Sequence, residues 1–450
     1  MSFPGYDNLR YGVGEWFGQV PGHWKLATLK RVVDPFRPIT YGIVQAGPNI
    51  EGGVPYIRPA DMTDENGVAS DDDILKTSDE IAESYSRSTI RTGDLVCSIG
   101  PSFGKVMVTP QSLDGANLTQ GTARVAIHAP NDPRFFFWVL RSHSSFSQWE
   151  SSVGGATFRA LNLGPLAATS VLIPPIDEQH AIASFVDRET SKIDTLVSEQ
   201  RRLVELLKEK RQAVISHAVT KGLDPTVPMK PSGIEWLGDV PAHWTVGKLA
   251  YASNRIGDGL HGTPEYVDRS QYHFVNGNNL NDGRIVVTEK TRCVSREEHE
   301  RHRVELGDDS LLISINGTIG NLALYHGESV VLGKSSAYIN CIRSKLNREF
   351  LYWYLQSTFM RLYFDYNVTG TTIYNLSLES IRKIPVPLPR LDEQLKIVRN
   401  LEARVSEFKS LLTHAELAIT LLQERRTALI SAAVTGKIDV REIALEGARP

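Results

Sequence analysis

The stretch Glu15-Trp-Phe-Gly-Gln-Val-Pro-Gly-His-Trp24 returns as Glu235-Trp-Leu-Gly-Asp-Val-Pro-Ala-His-Trp244, with seven of the ten positions identical. A repeat of this kind obliges the chain to build one frame twice. From the middle of each half the copies align without gaps, 215 residues apart. Trp138, Leu140 and Ser142 match Trp353, Leu355 and Ser357, and Leu161 matches Leu376. Asp177-Glu178-Gln179 matches Asp392-Glu393-Gln394, and Ala218-Val219-Thr220 matches Ala433-Val434-Thr435. Between these anchors the halves diverge, and residues 261–270 have no counterpart in the first copy. Two matched frames with different contents suit a scaffold that presents two different recognition surfaces.

Each half has two parts. The first is rich in Gly and Pro, with short β-type runs at residues 54–58, 95–99, 105–108 and 123–127. Residues 132–142 and 347–357 read as helices, each with an Asp or Asn cap before an apolar, aromatic run. The second part follows a Pro-bearing strand, 171–175 or 386–389, and opens on Asp-Glu-Gln. Asp177 is expected to cap a helix there while Glu178 complements its positive end.

No Pro or Gly interrupts residues 180–221 or 395–435. At 1.5 Å per residue, such runs give helices on the order of 60 Å. A 3/4 spacing proposes a seam through Val186, Ile193, Leu196, Leu203, Leu207 and Val214 in the first copy. In the second it runs through Leu401, Phe408, Leu411, Ala415, Ala418, Leu422 and Leu429. Apolar seams of this period call for a coiled-coil partner. Parallel pairing would demand a return crossing of roughly 60 Å, whereas linker residues 222–231 span only about 35 Å. The expected fold is therefore α+β: two mixed α/β domains separated by two long antiparallel helices, with a pseudo-two-fold repeat.

The remaining composition excludes several classes. Apolar runs such as 135–140 and 311–315 fall far short of the roughly 20 residues that cross a bilayer. The N-terminus shows no secretory pattern, so a cytoplasmic protein is expected. Cys97, Cys293 and Cys341 are too widely spaced for a disulfide framework or a zinc site, and read as buried or half-buried thiols. A net charge of −3 is low for a nucleic-acid binder, but a local basic face or partner proteins can supply phosphate contacts.

At this point the motifs resemble a known family. Glu235-Trp-Leu-Gly-Asp-Val-Pro-Ala-His-Trp244, after Lys230-Pro-Ser-Gly-Ile234, resembles the opening of a target recognition domain in type I restriction specificity subunits. Val171-Leu-Ile-Pro-Pro-Ile-Asp-Glu-Gln179 looks like their junction into the first conserved helical region, and Ile430-Ser-Ala-Ala-Val-Thr435 like the end of the second. The likeness covers residues 15–440 in the family's order. It implies target recognition domains at 1–176 and 233–391 and helical regions at 177–221 and 392–437, with a linker at 222–232 and a tail at 438–450. It further implies that each recognition domain reads half of a split, asymmetric sequence in double-stranded DNA. The helices would set the spacing and dock two methyltransferase subunits, which restriction (translocase-nuclease) subunits join. The cofactors, S-adenosylmethionine, ATP and magnesium, would belong to those partners, with none bound by this chain. A methylation-only complex and a two-headed protein-bridging scaffold are the competing readings.

Base readout needs polar side chains on turns near the major groove. Three matched pairs of segments offer them. Arg58, ending Tyr56-Ile-Arg-Pro-Ala-Asp61, pairs with Asn276 and Asn278 in Phe274-Val-Asn-Gly-Asn-Asn279. Arginine would suit guanine and asparagine adenine. Ser102 and Lys105, in a Gly-bounded turn starting at Ser98, pair with Thr318 in Ser314-Ile-Asn-Gly-Thr-Ile-Gly320. Thr157 and Arg159 pair with Thr372 and Tyr374. Lys334, Arg124 and Arg343 are lone cations and weaker candidates.

Catalytic motifs are near misses. Gly327-Glu-Ser-Val-Val-Leu-Gly-Lys-Ser335 carries one residue too many for a phosphate loop, and His299-Glu-Arg-His302 is one short of a zincin helix. No methyltransferase or glycine-rich cofactor fingerprint occurs, so the chain reads as non-catalytic.

Overall fold

The computed structural model describes residues 3–11, 14–63, 70, 73–153, 159–369 and 374–441. It falls into two compact units, one of Met1–Gln200 with Leu417–Pro450 and the other of Arg201–Glu416.

In the first unit the principal elements are β1 (Lys25–Thr28), β2 (Thr40–Tyr41), β3 (Val54–Ile57), β4 (Leu95–Ser98), β5 (Val106–Val108), β6 (Asn117–Leu118) and β7 (Thr122–Val125). They are followed by α1 (Pro133–Leu140), α2 (His143–Ser152), β8 (Ser170–Ile173) and the long α3 (Ile176–Lys221), which continues into the second unit. An antiparallel sheet has the order β2-β7-β4-β5. β3 and β6 pair in parallel, and β1 pairs antiparallel with β8.

The second unit builds the same frame from β9 (Thr245–Lys248), β10 (Ser253–Asp258), β11 (Tyr272–Val275), β12 (Ser310–Ser314), β13 (Leu322–Leu324), β14 (Val330–Leu332) and β15 (Ser336–Cys341). Then come α4 (Arg348–Leu355), α5 (Thr358–Asn367), β16 (Pro385–Leu388) and the long α6 (Leu391–Val434). Its antiparallel sheet runs β10-β15-β12-β13, β11 pairs in parallel with β14, and β9 with β16 antiparallel. The stretch that resembled a phosphate loop supplies β14, a paired strand. Gly42 and Gly259 lie at matched crossings, where a Cβ would stand 1.9 Å from the Leu118 carbonyl oxygen and 2.1 Å from that of Leu332. Only glycine lets the strands approach so closely.

The repeated motifs meet each other in both units. The Glu178 carboxylate accepts Trp24 Nε1–H at 2.9 Å and the Tyr6 hydroxyl at 2.9 Å, and it pairs with His23 Nε2 at 2.6 Å. Burial and the neighbouring Glu178 carboxylate push the Tyr6 phenol above its ordinary pKa, keeping it a donor. Glu393 likewise accepts Trp244 Nε1–H at 3.0 Å and pairs with His243 at 2.9 Å. The next residue fixes the short helix: Gln179 Oε1 accepts Asp132 N–H at 2.9 Å, and Gln394 Oε1 accepts Asn347 N–H at 2.8 Å. Asp132 and Asn347 then cap α1 and α4 as the sequence suggested. The expectation for Asp177 is corrected. α3 begins at Ile176, so Asp177 lies exposed within the first turn, and Glu178 works as an acceptor for the Trp24 motif. Both acids still complement the helix dipole.

Within each unit the long helices pack antiparallel. In the first, Ile182 and Val186 share a core with Leu429, Ile430 and Ala433, while Asp194 holds Arg426 through two bonds of 2.8 and 3.1 Å. In the second, Ile215, Ala218 and Val219 pack with Ile397, Val398 and Leu401. Ser431 Oγ accepts His143 N–H at the start of α2, and Ser216 Oγ accepts Thr358 N–H at the start of α5. These serines are 215 residues apart, so the duplication extends to how each helix meets a recognition domain.

The seam register differs in part from expectation. Val186 and Ile193 are buried and Leu207 and Val214 half-buried, but Leu196 and Leu203 are 45% and 42% exposed. Val197 and Val204 take the inward positions instead. In α6, Leu401, Ala415 and Leu429 are buried and Phe408, Ala418 and Leu422 half-buried, whereas Leu411 is exposed and Leu412 turns inward. Alternating steps of three and four run through 186, 190, 193, 197, 200, 204 and 207, and at 197 and 204 a larger leucine just before the seam valine drew the expectation one residue aside. Cys97 and Cys341 are buried, which pushes their thiols up to about 12, and Cys293 is half-buried. No described helix is long and apolar enough to cross a membrane.

Removing the Glu178 carboxylate strands two aromatic donors in a dry site. Glu178→Ala is expected to destabilise the protein by about 2–4 kcal/mol in chemical denaturation. Glu393→Ala should cost less, because the Glu393 side chain is 28% exposed against 10% for Glu178.

Candidate nucleic-acid interface

In the first unit the hairpin between β4 and β5 is built by Ser98. Its hydroxyl donates to Ser102 O and accepts Lys105 N–H, both at 2.9 Å. Gly104 closes the turn at φ +102°, in the left-handed region glycine tolerates. Lys105 Nζ reaches across to Met62 O at 2.9 Å. That carbonyl ends the turn following β3, in which Asp61 holds Arg58 N–H at 2.8 Å and the Arg58 guanidinium at 2.9 Å. Leu161 N–H bonds Ile99 O at 2.9 Å. Beside it, Arg159 pairs with Glu150 at 2.5 Å and lies 5.8 Å from the centre of the Phe103 ring. The candidate segments around residues 58, 98–105 and 159 thus converge on one surface, with the Ser102 side exposed.

The second unit gathers the corresponding segments. Ser314 Oγ donates to Thr318 O at 2.6 Å and accepts Asn321 N–H at 2.8 Å, repeating the role of Ser98. Ser335 Oγ donates to Asn276 Oδ1 at 3.0 Å and accepts Gly277 N–H at 2.9 Å. Asn316 Nδ2 donates to Lys334 O at 3.2 Å, and Gly317 N–H to Tyr374 O at 3.1 Å. Asn278, Thr318, Lys334 and Tyr374 are exposed on this assembly, Tyr374 by 56%. Thr157 and Thr372 lie outside the described residues.

The candidates therefore divide by how their polar atoms are occupied. Arg58, Lys105, Arg159 and Asn276 bond protein groups, while the exposed Ser102, Asn278, Thr318, Lys334 and Tyr374 line the same surfaces. Arg343 pairs with Asp309 at 3.5 Å. Arg124, read as a surface cation, is only 4% exposed, because its strand position faces a second small core containing Val96 and Ile57. Ser335, met in the sequence only as the end of the rejected phosphate loop, has a hydroxyl that bridges Asn276 and Gly277 N–H. A lone serine carries no periodicity or spacing signal.

Two sheets with matched loop clusters, joined through long helices common to both units, define a duplicated recognition subunit. The sequence profile of the family described as the type I restriction modification DNA specificity domain matches residues 45–206 and 268–418, and the chain belongs to that family. It is a non-catalytic DNA-recognition subunit of a type I restriction-modification complex. The EcoBI type I specificity subunit of Escherichia coli is 26% identical over 201 residues, 44% of this chain and 42% of that one. The StySPI type I specificity subunit of Salmonella potsdam is 22% identical over 434 residues, covering 94% and 90% of the two chains. A structure from a study of complex assembly and conformational transition in the type I restriction-modification system superposes with a TM-score of 0.72 at 17% identity. It covers 93% of this chain and 99% of its own, and shows a common fold.

Asn276→Ala removes the acceptor of Ser335 and is expected to cost about 1–2 kcal/mol. Asn278→Ala should stay within about 0.5 kcal/mol of wild type. Urea denaturation of both variants checks the division between framework and free side chains.

Proposed function

We propose that each unit reads one half of a split, asymmetric DNA sequence through its loop cluster. The carrying observation is that one frame is built twice with different side chains at matched positions. Arg58 stands opposite Asn276 and Asn278, Ser102 opposite Thr318, and Arg159 opposite Tyr374. Different donors and acceptors on equal frames favour different half-sites. Arg58, Ser102, Lys105, Thr157 and Arg159 in one unit, and Asn276, Asn278, Thr318, Lys334, Thr372 and Tyr374 in the other, are the side chains assigned to DNA.

Helices α3 and α6 dock two methyltransferase subunits, to which restriction subunits attach, in the cytoplasm. S-adenosylmethionine, ATP and magnesium belong to those partners. Exposed leucines on the helices, among them Leu196, Leu206, Leu417 and Leu421, support a docking role, since a helix face in water does not need them.

Long-read methylation mapping of a strain with and without this gene tests the reading. A split motif should vanish on deletion; if none does, the DNA-reading assignment fails. Exchanging residues 235–389 for the second recognition domain of another family member should change one half-site only, and changes at both would refute independent reading. A protein-bridging scaffold would leave methylation untouched in both experiments, and a neighbouring translocase-nuclease gene separates a restricting complex from a methylation-only one.

A further inference from the structure

The first unit contains a cleft of about 610 Å³ whose lining includes four arginines, Arg37, Arg87, Arg91 and Arg124, and no acidic residue. One carboxylate stands behind it. Asp94 binds the Arg37 fork through Oδ1 at 2.9 Å and Oδ2 at 2.5 Å, and Oδ2 also accepts Arg91 N–H at 2.7 Å. Both of its oxygens are thus committed. Among the described residues, no carboxylate lies within ion-pair distance of Arg87, Arg91 or Arg124.

Arg124 is the unusual member. It is 4% exposed, and its fork donates only to Thr89 O at 2.7 Å and Pro38 O at 3.3 Å. Its Nε has no partner. A buried cation without an anion is costly, and desolvation lowers its pKa. The frame does not require it. The pairing of Ser98 with Thr122 and of Ser314 with Ser336 places Tyr338 at the matching position of the second unit and Ser310 at that of Asp94. There the sheet closes over a buried tyrosine, with Gly257 leaving room for its ring. The first unit therefore keeps an uncompensated positive site that its copy does without.

The cleft is tied to the loop cluster. Thr122 and Arg124 are two residues apart on β7, so their side chains leave the same face of the sheet. The Thr122 hydroxyl bonds Ile57 O at 2.9 Å, immediately before Arg58. Arginine forks match the oxygens of phosphate better than any other side chain, and the exposed Arg87 and Arg91 flank the opening.

We propose that this arginine cleft binds a phosphate group, supplied by the backbone of the DNA beside the half-site read by the first unit. The inference rests on the DNA-reading role proposed above and adds a clamp present in one unit only. Backbone contacts set register and affinity without reading sequence.

The test uses the full chain assembled with its methyltransferase partner and a short fluorescein-labelled duplex of arbitrary sequence, titrated over a range of salt. In the double variant Arg87→Ala/Arg91→Ala, affinity should fall and the slope of log affinity against log salt should shrink by about 0.9, the change for one lost phosphate contact. The methylated motif should stay the same. Arg124→Gln should also weaken binding, and because the double variant alters only exposed residues, the test survives if Arg124→Gln fails to fold. Unchanged affinity and slope in the double variant, with wild type binding the duplex, overturns the cleft assignment alone. A wild-type complex that ignores the duplex overturns both this and the DNA-reading role. Loss of thermal stabilisation by pyrophosphate without any change in duplex binding would make the ligand a free anion and overturn the DNA source.

Discussion

The rest of each unit depends on a carboxylate at the start of a long helix, buried in the first unit and half-buried in the second. Glu178 and Glu393 accept the indole N–H of a tryptophan some 150 residues earlier in the chain, and the adjacent glutamine accepts the backbone N–H of the residue that caps a short helix. One dipeptide thereby joins three elements: the opening motif, the aromatic helix under the sheet and the long helix. A carboxylate in a dry site is tolerated only when its lone pairs are filled. Trp24, Tyr6 and His23 fill those of Glu178, so the contact specifies a single arrangement of the three elements.

That pinning explains how one chain can hold different loops on equal frames. The sheet, its parallel side pair and the glycine crossings are alike in both units. The serines at 98 and 314 give each hairpin the same internal bonds. Side chains beyond these bonds are free to differ. On the DNA-reading proposal, specificity resides at those positions, while the common frame carries the folding of each unit.

Much of this was legible in the sequence. Trp24, Glu178 and their copies stand out because a repeat keeps both partners, and the caps Asp132 and Asn347 announce their helices. The long helices were legible from uninterrupted periodicity, but their register was not: at 196/197 and 203/204 a leucine neighbours a valine, and size alone chose the wrong face. Which candidates are free to meet DNA was also hidden. Arg58 and Asp61 are close in sequence, yet their closed turn depends on the fold, and the bridge from Ser335 to Asn276 spans 59 residues. Arg124 was misjudged because a single cation in an alternating strand says nothing about what covers its face.

The most direct test of the account is a cryo-electron microscopy structure of the assembled complex on DNA carrying its own mapped methylation motif. The account predicts the 98–105 hairpin and Arg159 against one half-site, and Asn278, Thr318, Lys334 and Tyr374 against the other. DNA bound away from these loop clusters, or both half-sites held by a single unit, would contradict it.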